Sequence, residues 1–208
     1  QSTPFGLRYD QTIFLLRDPE GIKKTFTFKD DQGTTYSLEI DSFYEFESLF
    51  ATYLGGPYDE FTPPVEYAVL DEQIGYVKIN TNSDDLNLTF RLFEKAMNTF
   101  DYADVSGLII DMRLNFGGSP LGLAGFLTDQ VITLGQLEYY SDKTGAFEPE
   151  GDPDEVIPNT EIFIFDDIVL LVDQFCYSAC EIEAYGFSQV PGVTVIGEFP
   201  TGGVEAET

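Results

Sequence analysis

GLIIDMRLNFGG, residues 107–118, is an apolar run that ends in charge and then in two adjacent glycines. Leu108-Ile109-Ile110 without polar alternation reads as a strand buried in a parallel sheet. Gly117-Gly118 directly after it lets the backbone turn sharply and present N–H groups that no side chain shields, a nest suited to an anionic oxygen. Asp111 and Arg113 stand where charged hydrogen bonds can tie the turn down. The same residues also read as an ordinary turn before a helix, and on these residues alone that plainer reading is favoured. The stretch has neither the lysine and Ser/Thr of a phosphate-binding loop nor the glycine spacing of a dinucleotide site.

Outward from this point the pattern repeats. IGYVKIN at 74–80, IVLLVD at 168–173 and VTVIGE at 193–198 read as strands; 88–100, 121–132 and 179–189 read as helices. Strands alternating with helices predict an α/β fold whose sheet is largely parallel and covered on both faces, with its chemistry at the carboxyl ends of the strands. Residues 70–208 are expected to form this core. Ahead of it, residues 1–45 read as β-rich, with TIFLLR, KKTFTFKD and TYSLEI as half-buried extended segments and a turn at Asp30-Asp31-Gln32-Gly33. Residues 46–69, with Gly55-Gly56-Pro57 and Pro63-Pro64, read as a linker, and 141–167 as acidic and poor in pattern.

Composition narrows the function. The 208 residues, 43% hydrophobic, suffice for one sizeable core. With 37 acidic against 10 basic residues the net charge is -27, a field that repels nucleic acid and anionic lipid, and no basic patch offsets it. No apolar run approaches the roughly eighteen residues of a membrane span. Neither a nucleic-acid nor a membrane partner is expected. The chain has no histidine and two close cysteines, and Asp152, Asp154 and Glu155 fit no metal-loop spacing, so no metal or cofactor is expected. Asn87-Leu88-Thr89 is a glycosylation sequon, which with the acidity leans toward a secreted or extracytoplasmic glycoprotein. Opening on Gln1 rather than Met, the chain is expected to be the remainder of a longer one.

The second unusual stretch is QFCYSACE, residues 174–181. Ser178 follows a strand and precedes a helical run, where its hydroxyl can stand exposed at the sheet end. The N–H groups of the first helical turn, beginning with Ala179, are then placed to stabilise charge growing on a carbonyl oxygen. Ser178 with Glu181 three positions on is also a capping box, and by itself that reading is the commoner one. Cys176 and Cys180 are expected to be free and to fill space beside the serine, because a bridge across one helical turn is strained.

Taken in order, these motifs resemble the tail-specific, or C-terminal processing, serine peptidases of family S41. That family shows a G-Y-I/V strand, an apolar strand ending D-L-R-x-N-x-G-G, another apolar strand, a serine in S/T-A-S-A-S-E, and V-x-G-E before a glycine-rich turn. Here they stand as Gly75-Tyr76-Val77, Asp111 to Gly118 with Met112 for Leu, IVLLVD, Cys176 to Glu181, and Val195-Ile196-Gly197-Glu198. The resemblance, over about residues 70–203, implies a crotonase/Clp-protease-like spiral of ββα units with flanking helices, preceded by a β-rich remnant of a PDZ-like domain. It implies Ser178 as nucleophile, Ala179 N–H as one oxyanion donor, and Gly117 or Gly118, the latter preferred, as the other.

One position departs from the pattern. The Ser-Lys branch carries a lysine in T-F-G-K-G, and Pro200-Thr201-Gly202-Gly203 has glycine there. The chain is closer to the Ser-His-Glu branch, related to a chlamydial secreted protease, whose histidine and glutamate would lie outside residues 1–208. The expected function is therefore peptide-bond hydrolysis through an acyl-enzyme on Ser178, with a peptide or protein substrate. The isolated chain is expected to be inactive until other portions of the same precursor bring the base. The alternative is an S41-like module that binds extended peptides without cutting them.

Overall fold

The computed structural model describes residues 3–48, 51, 61–71 and 73–202. Gly55-Gly56-Pro57 of the expected linker and the last glycine of the 200–203 turn lie outside the described residues. Two compact units are present, Leu7–Glu60 and a larger one of Phe61–Thr208 with Gln1–Gly6.

The smaller unit contains the expected hairpin, β1 (Lys23–Lys29) antiparallel to β2 (Thr35–Asp41), with Lys23 opposite Asp41 and Lys29 opposite Thr35. Asp30 shapes its turn by accepting the N–H of Gln32 (3.0 Å) and of Thr34 (2.7 Å), and Gly33 supplies the positive φ of 87°. The strands are mostly exposed rather than half-buried. TIFLLR is not extended as expected, because its first three residues close helix α1 (Pro4–Phe14). Thr3 Oγ1 accepts the N–H of Gly6 at 3.1 Å and Pro4 takes the first helical position, so the helix begins on two ordinary start signals.

The larger unit is built on a five-stranded sheet in the order β11-β10-β5-β4-β3. Its strands are β3 (Val65–Asp71), β4 (Ile74–Ile79), β5 (Gly107–Asp111), β10 (Asp167–Leu171) and β11 (Val193–Ile196). Neighbours from β11 to β4 run parallel and β3 runs antiparallel to β4. Residues 65–69, expected in the linker, thus belong to the sheet edge. Helix α2 (Leu86–Tyr102) begins where Asp85 accepts the N–H of Asn87 (2.9 Å) and Leu88 (3.2 Å), and α3 (Ala179–Ser188) follows β10.

Among the described residues, α2 and α3 lie over one face of the sheet. Along β4 burial alternates, with Gly75, Val77 and Ile79 buried and Ile74, Tyr76 and Lys78 only half-buried. On the buried side Phe93, Ala96, Met97 and Phe100 of α2 meet Val77, Ile79, Leu108 and Ile110, all at most 1% exposed. The rings of Phe93 and Phe187 lie 5.9 Å apart, which places both helices over the same face.

Residues 121–132 do not form the expected helix. A single 3₁₀ turn, Leu123–Phe126, is followed by β6 (Ile132–Gly135), because neighbouring groups take the polar groups a helix would use. The Gly125 and Phe126 carbonyls accept the N–H of Asn159 and Phe163, both at 2.8 Å. The 141–167 region is not patternless either: β7 (Glu138–Ser141) pairs with β8 (Ala146–Pro149), and β9 (Asp154–Val156) pairs with β6.

Gly75 shows how tightly α2 seats. A Cβ there would stand 2.9 Å from the Phe100 ring. Gly75→Ala is therefore expected to lower the unfolding free energy by about 1–3 kcal/mol, read as a shift of the urea midpoint at unchanged m-value.

Candidate active site

Four loops converge at the carboxyl ends of the parallel strands: those after β4, β5, β10 and β11. The loop after β5 is fixed first at its root. Asp111, 1% exposed, accepts Arg113 N–H (3.0 Å), Arg113 Nε (2.9 Å) and Nη2 (2.7 Å), and the Tyr76 hydroxyl (2.8 Å). Burial pushes the Asp111 pKa up, but the guanidinium and hydroxyl donors outweigh it and the carboxyl ends below its ordinary value. Tyr76 is pushed up to about 12 by burial and by the Asp111 carboxylate.

Asp173 then joins this loop to the one after β10. Its carboxylate accepts the N–H of Leu114 (3.1 Å), of Phe175 (2.9 Å) and of Cys176 (3.1 Å). Leu114 takes a positive φ of 63° to make that bond. Asn115, fully buried, donates to the Ile79 carbonyl (3.1 Å) and to Asn82 Oδ1 (2.8 Å), and its own Oδ1 accepts the N–H of Gly117 (2.9 Å). The Gly117 carbonyl accepts from Asn82 N–H (3.2 Å) and Ser83 Oγ (2.7 Å).

Both glycines are dictated by close approach. At Gly117, φ 89°, a Cβ would fall 2.6 Å from the Tyr177 carbonyl oxygen, 2.9 Å from Ser178 Cβ and 3.0 Å from Ala179 N. At Gly118, φ 137°, it would fall 2.1 Å from the Asn82 carbonyl oxygen. The structure thus brings Gly117, Ser178 and Ala179 together in one place, with Gly118 beside Asn82. Gly118 and Ala179 N–H have no hydrogen-bond partner among the described residues, whereas Gly117 N–H is taken by Asn115.

Ser178 stands at φ 57° and ψ -131°, a left-handed turn between strand and helix that an L-residue adopts only under constraint. The capping box is not formed. Ser178 makes no side-chain cap bond, and Glu181 instead accepts the Thr201 hydroxyl at 2.5 Å, its Oε2 being buried without a partner among the described residues. Thr201 arrives with the turn after β11, where Gly202 N–H donates to the Cys176 carbonyl at 3.0 Å.

Cys176 and Cys180 are joined by a disulfide, against expectation. With α3 starting at Ala179, Cys176 lies outside the helix, so the strain of a bridge across one helical turn does not arise; the elbow at Ser178 folds the chain back and brings the two Cα atoms to 5.2 Å, well inside the range a bridge spans.

Ser178, Ala179, Gly117 and Gly118 stand out in the sequence, whereas Asp173, Asn82, Asn115 and Glu183 have no role assigned from it. Glu183, 2% exposed, accepts the N–H of Leu121 (2.7 Å), Gly122 (3.2 Å) and Leu123 (2.5 Å), tying α3 to the far end of the glycine loop. Burial pushes its pKa up despite these three donors. Asp173 carried a signal, since an Asp directly after a strand accepts the N–H two residues on in an Asx turn. The buried Glu183 carried none in a chain this acidic.

Two outcomes follow from this geometry. Asp111→Asn is expected to cost about 1–3 kcal/mol at neutral pH. Because the folded-state pKa is lowered, that contribution is complete above about pH 4 and is lost as pH falls through the folded value, so wild-type and variant urea midpoints should converge in acid. Ser178→Gly is expected to be about 1 kcal/mol more stable than Ser178→Ala, since glycine adopts the positive φ without a Cβ penalty; thermal unfolding of the pair checks it.

The sequence profile of Peptidase family S41 matches residues 73–207. Among solved structures, mature CPAF complexed with lactacystin superposes with a TM-score of 0.61 at 14% identity, over 100% of this chain and 60% of that one. A protein of Parabacteroides merdae assigned as a peptidase gives 0.53 at 20% identity, over 98% and 70%. The photosystem II D1 C-terminal processing protease gives 0.52 at 20% identity, over 89% and 45%. These likenesses agree on the fold, and the profile spans β4 to β11 with the four strand-end loops described above: the chain belongs to peptidase family S41.

Proposed function

We propose that the protein is a serine endopeptidase in which Ser178 attacks the substrate carbonyl. Its acyl-enzyme would form in the cleft between the elbow and the glycine loop, with Ala179 N–H and Gly118 N–H as oxyanion donors. The observation that carries this reading is the seating of Gly117 directly on Tyr177, Ser178 and Ala179, which leaves no room for any side chain between nucleophile and loop. Gly118 is preferred to Gly117 as donor because the Gly117 N–H is already held by Asn115.

A serine hydroxyl needs a proton acceptor within hydrogen-bond reach. The sequence has no histidine, and the four strand-end loops contain no lysine. We assign the base to a histidine, oriented by a glutamate, brought by another part of the polypeptide, as in the Ser-His-Glu branch. The chain spans 60% of mature CPAF and 45% of the D1 processing protease, which leaves the length such parts would occupy. The hairpin unit is read as the PDZ-like remnant and the sheet as the crotonase-like spiral. The net charge of -27 favours substrates neutral or basic around the cut bond. The disulfide and the exposed Asn87 support a secreted or extracytoplasmic glycoprotein; among the described residues no helix is long and apolar enough to cross a membrane.

A fluorophosphonate probe should label Ser178 in the complete, folded protein and not in Ser178→Ala; no label on a verified complete preparation would count against the reading. The 208-residue chain by itself should show at most the residual rate, about 10³–10⁴ over water, that binding and oxyanion donors leave when a base is missing. Robust peptide hydrolysis by that chain, abolished by Ser178→Ala, would move the base to an acidic side chain such as Glu198 or Glu181. The same absence of a base favours the peptide-binding reading, which predicts tight binding of extended peptides with no cleavage even in the complete protein.

A further inference from the structure

Ser178 holds a backbone conformation that its own side chain does nothing to stabilise, since its hydroxyl makes no cap bond. The bridge between Cys176 and Cys180 closes a ring of five residues with Ser178 at its centre. Each end of that ring is tied to a different strand end. Cys176 donates its N–H to Asp173, after β10, and accepts at its carbonyl from Gly202, after β11. Cys180 Sγ lies 3.6 Å from the Met112 carbonyl oxygen, at the end of β5. The elbow is thereby hydrogen-bonded to the loops after β10 and β11 and packs against the end of β5.

We infer that the Cys176–Cys180 disulfide is a positioning device that sets the backbone of Ser178 against the glycine loop and makes nucleophile reactivity depend on oxidation. The inference deepens the peptidase reading and rests on it for its activity arm only. Forming the bridge removes two electrons and two protons from the two thiols, delivered to a disulfide oxidant of an extracytoplasmic compartment; a dithiol reductant reverses it and leaves as its own disulfide. Both cysteines are 0% exposed, so the bridge is set as the chain folds and a reductant does not reach it in the native state. A chain folded in a reducing compartment would carry the sheet and lack the elbow, and peptide cleavage would begin only after export.

The first arm needs no activity. Serine-selective ¹³C labelling should give Ser178 Cα and Cβ shifts that move, or split into several signals, in Cys176→Ala/Cys180→Ala; unchanged shifts overturn the inference. The second arm measures fluorophosphonate labelling and peptide turnover in the complete protein. The double variant should lose about 10–100-fold in kcat with KM within about twofold, since the clamp orients the nucleophile and does not hold substrate. Equal kcat, or a loss confined to KM, overturns it. Should the double variant not fold, native protein is opened in mild denaturant, reduced and blocked with iodoacetamide, and compared with an unblocked sample allowed to reoxidise: only the reoxidised sample should regain the native Ser178 shifts and labelling rate. A wild-type protein that never labels sinks the peptidase reading, and the shift arm still decides the role of the bridge.

Discussion

A single carboxylate holds the two halves of the candidate site together. Asp173 takes the backbone N–H of Leu114 from the loop after β5 and those of Phe175 and Cys176 from the loop after β10. Parallel strands deliver their loops to the same end of a sheet, but they do not by themselves set the loops side by side. Three charge-assisted hydrogen bonds from one partly buried side chain do so, and they do it with backbone donors, which fixes main-chain position rather than rotamer. The seating of Gly117 on Ser178, the positive φ of Leu114 and the course of Cys176 all follow from that alignment.

The four parallel strands of the sheet were legible because their pattern is strong and local, whereas the antiparallel edge strand β3 was not. Leu108-Ile109-Ile110 and the 168–173 run are short and apolar, and α2 has apolar residues at helical spacing behind an Asp cap. What was not legible was decided by distant partners. Residues 121–132 have helical composition, yet the Gly125 and Phe126 carbonyls, which a helix would pair four residues on, accept the N–H of Asn159 and Phe163 instead, and the chain makes only one 3₁₀ turn. TIFLLR has no period that separates strand from helix, and the start signals lay upstream at Thr3 and Pro4. The alternation of buried and half-buried residues along β4 was a signal in the sequence that the apolar run of β5 overshadowed.

The site was legible as motifs and not as a network. Glycines and a serine at strand ends show in a sequence because few residue types tolerate those positions. Asn82 and Asn115 do not show, since buried amides look like any loop asparagine until their carbonyl partners are known. The cysteine pair was misjudged for a related reason. The distance between two cysteines four apart depends on the backbone between them, and that backbone is bent at Ser178, a serine whose conformation its identity does not announce.

The contacts that shape the elbow are remote in the chain: Leu114 and Asp173 are separated by 59 positions, and Leu121 and Glu183 by 62. Loop closure over such spans must be met before these bonds return anything, so they belong to the late part of folding. During synthesis the glycine loop leaves the ribosome long before either acidic partner exists. The chain therefore passes through its most exposed, least folded stage without an assembled elbow. Under the peptidase reading proposed above, the topology itself keeps nascent copies of the chain from being substrates of one another.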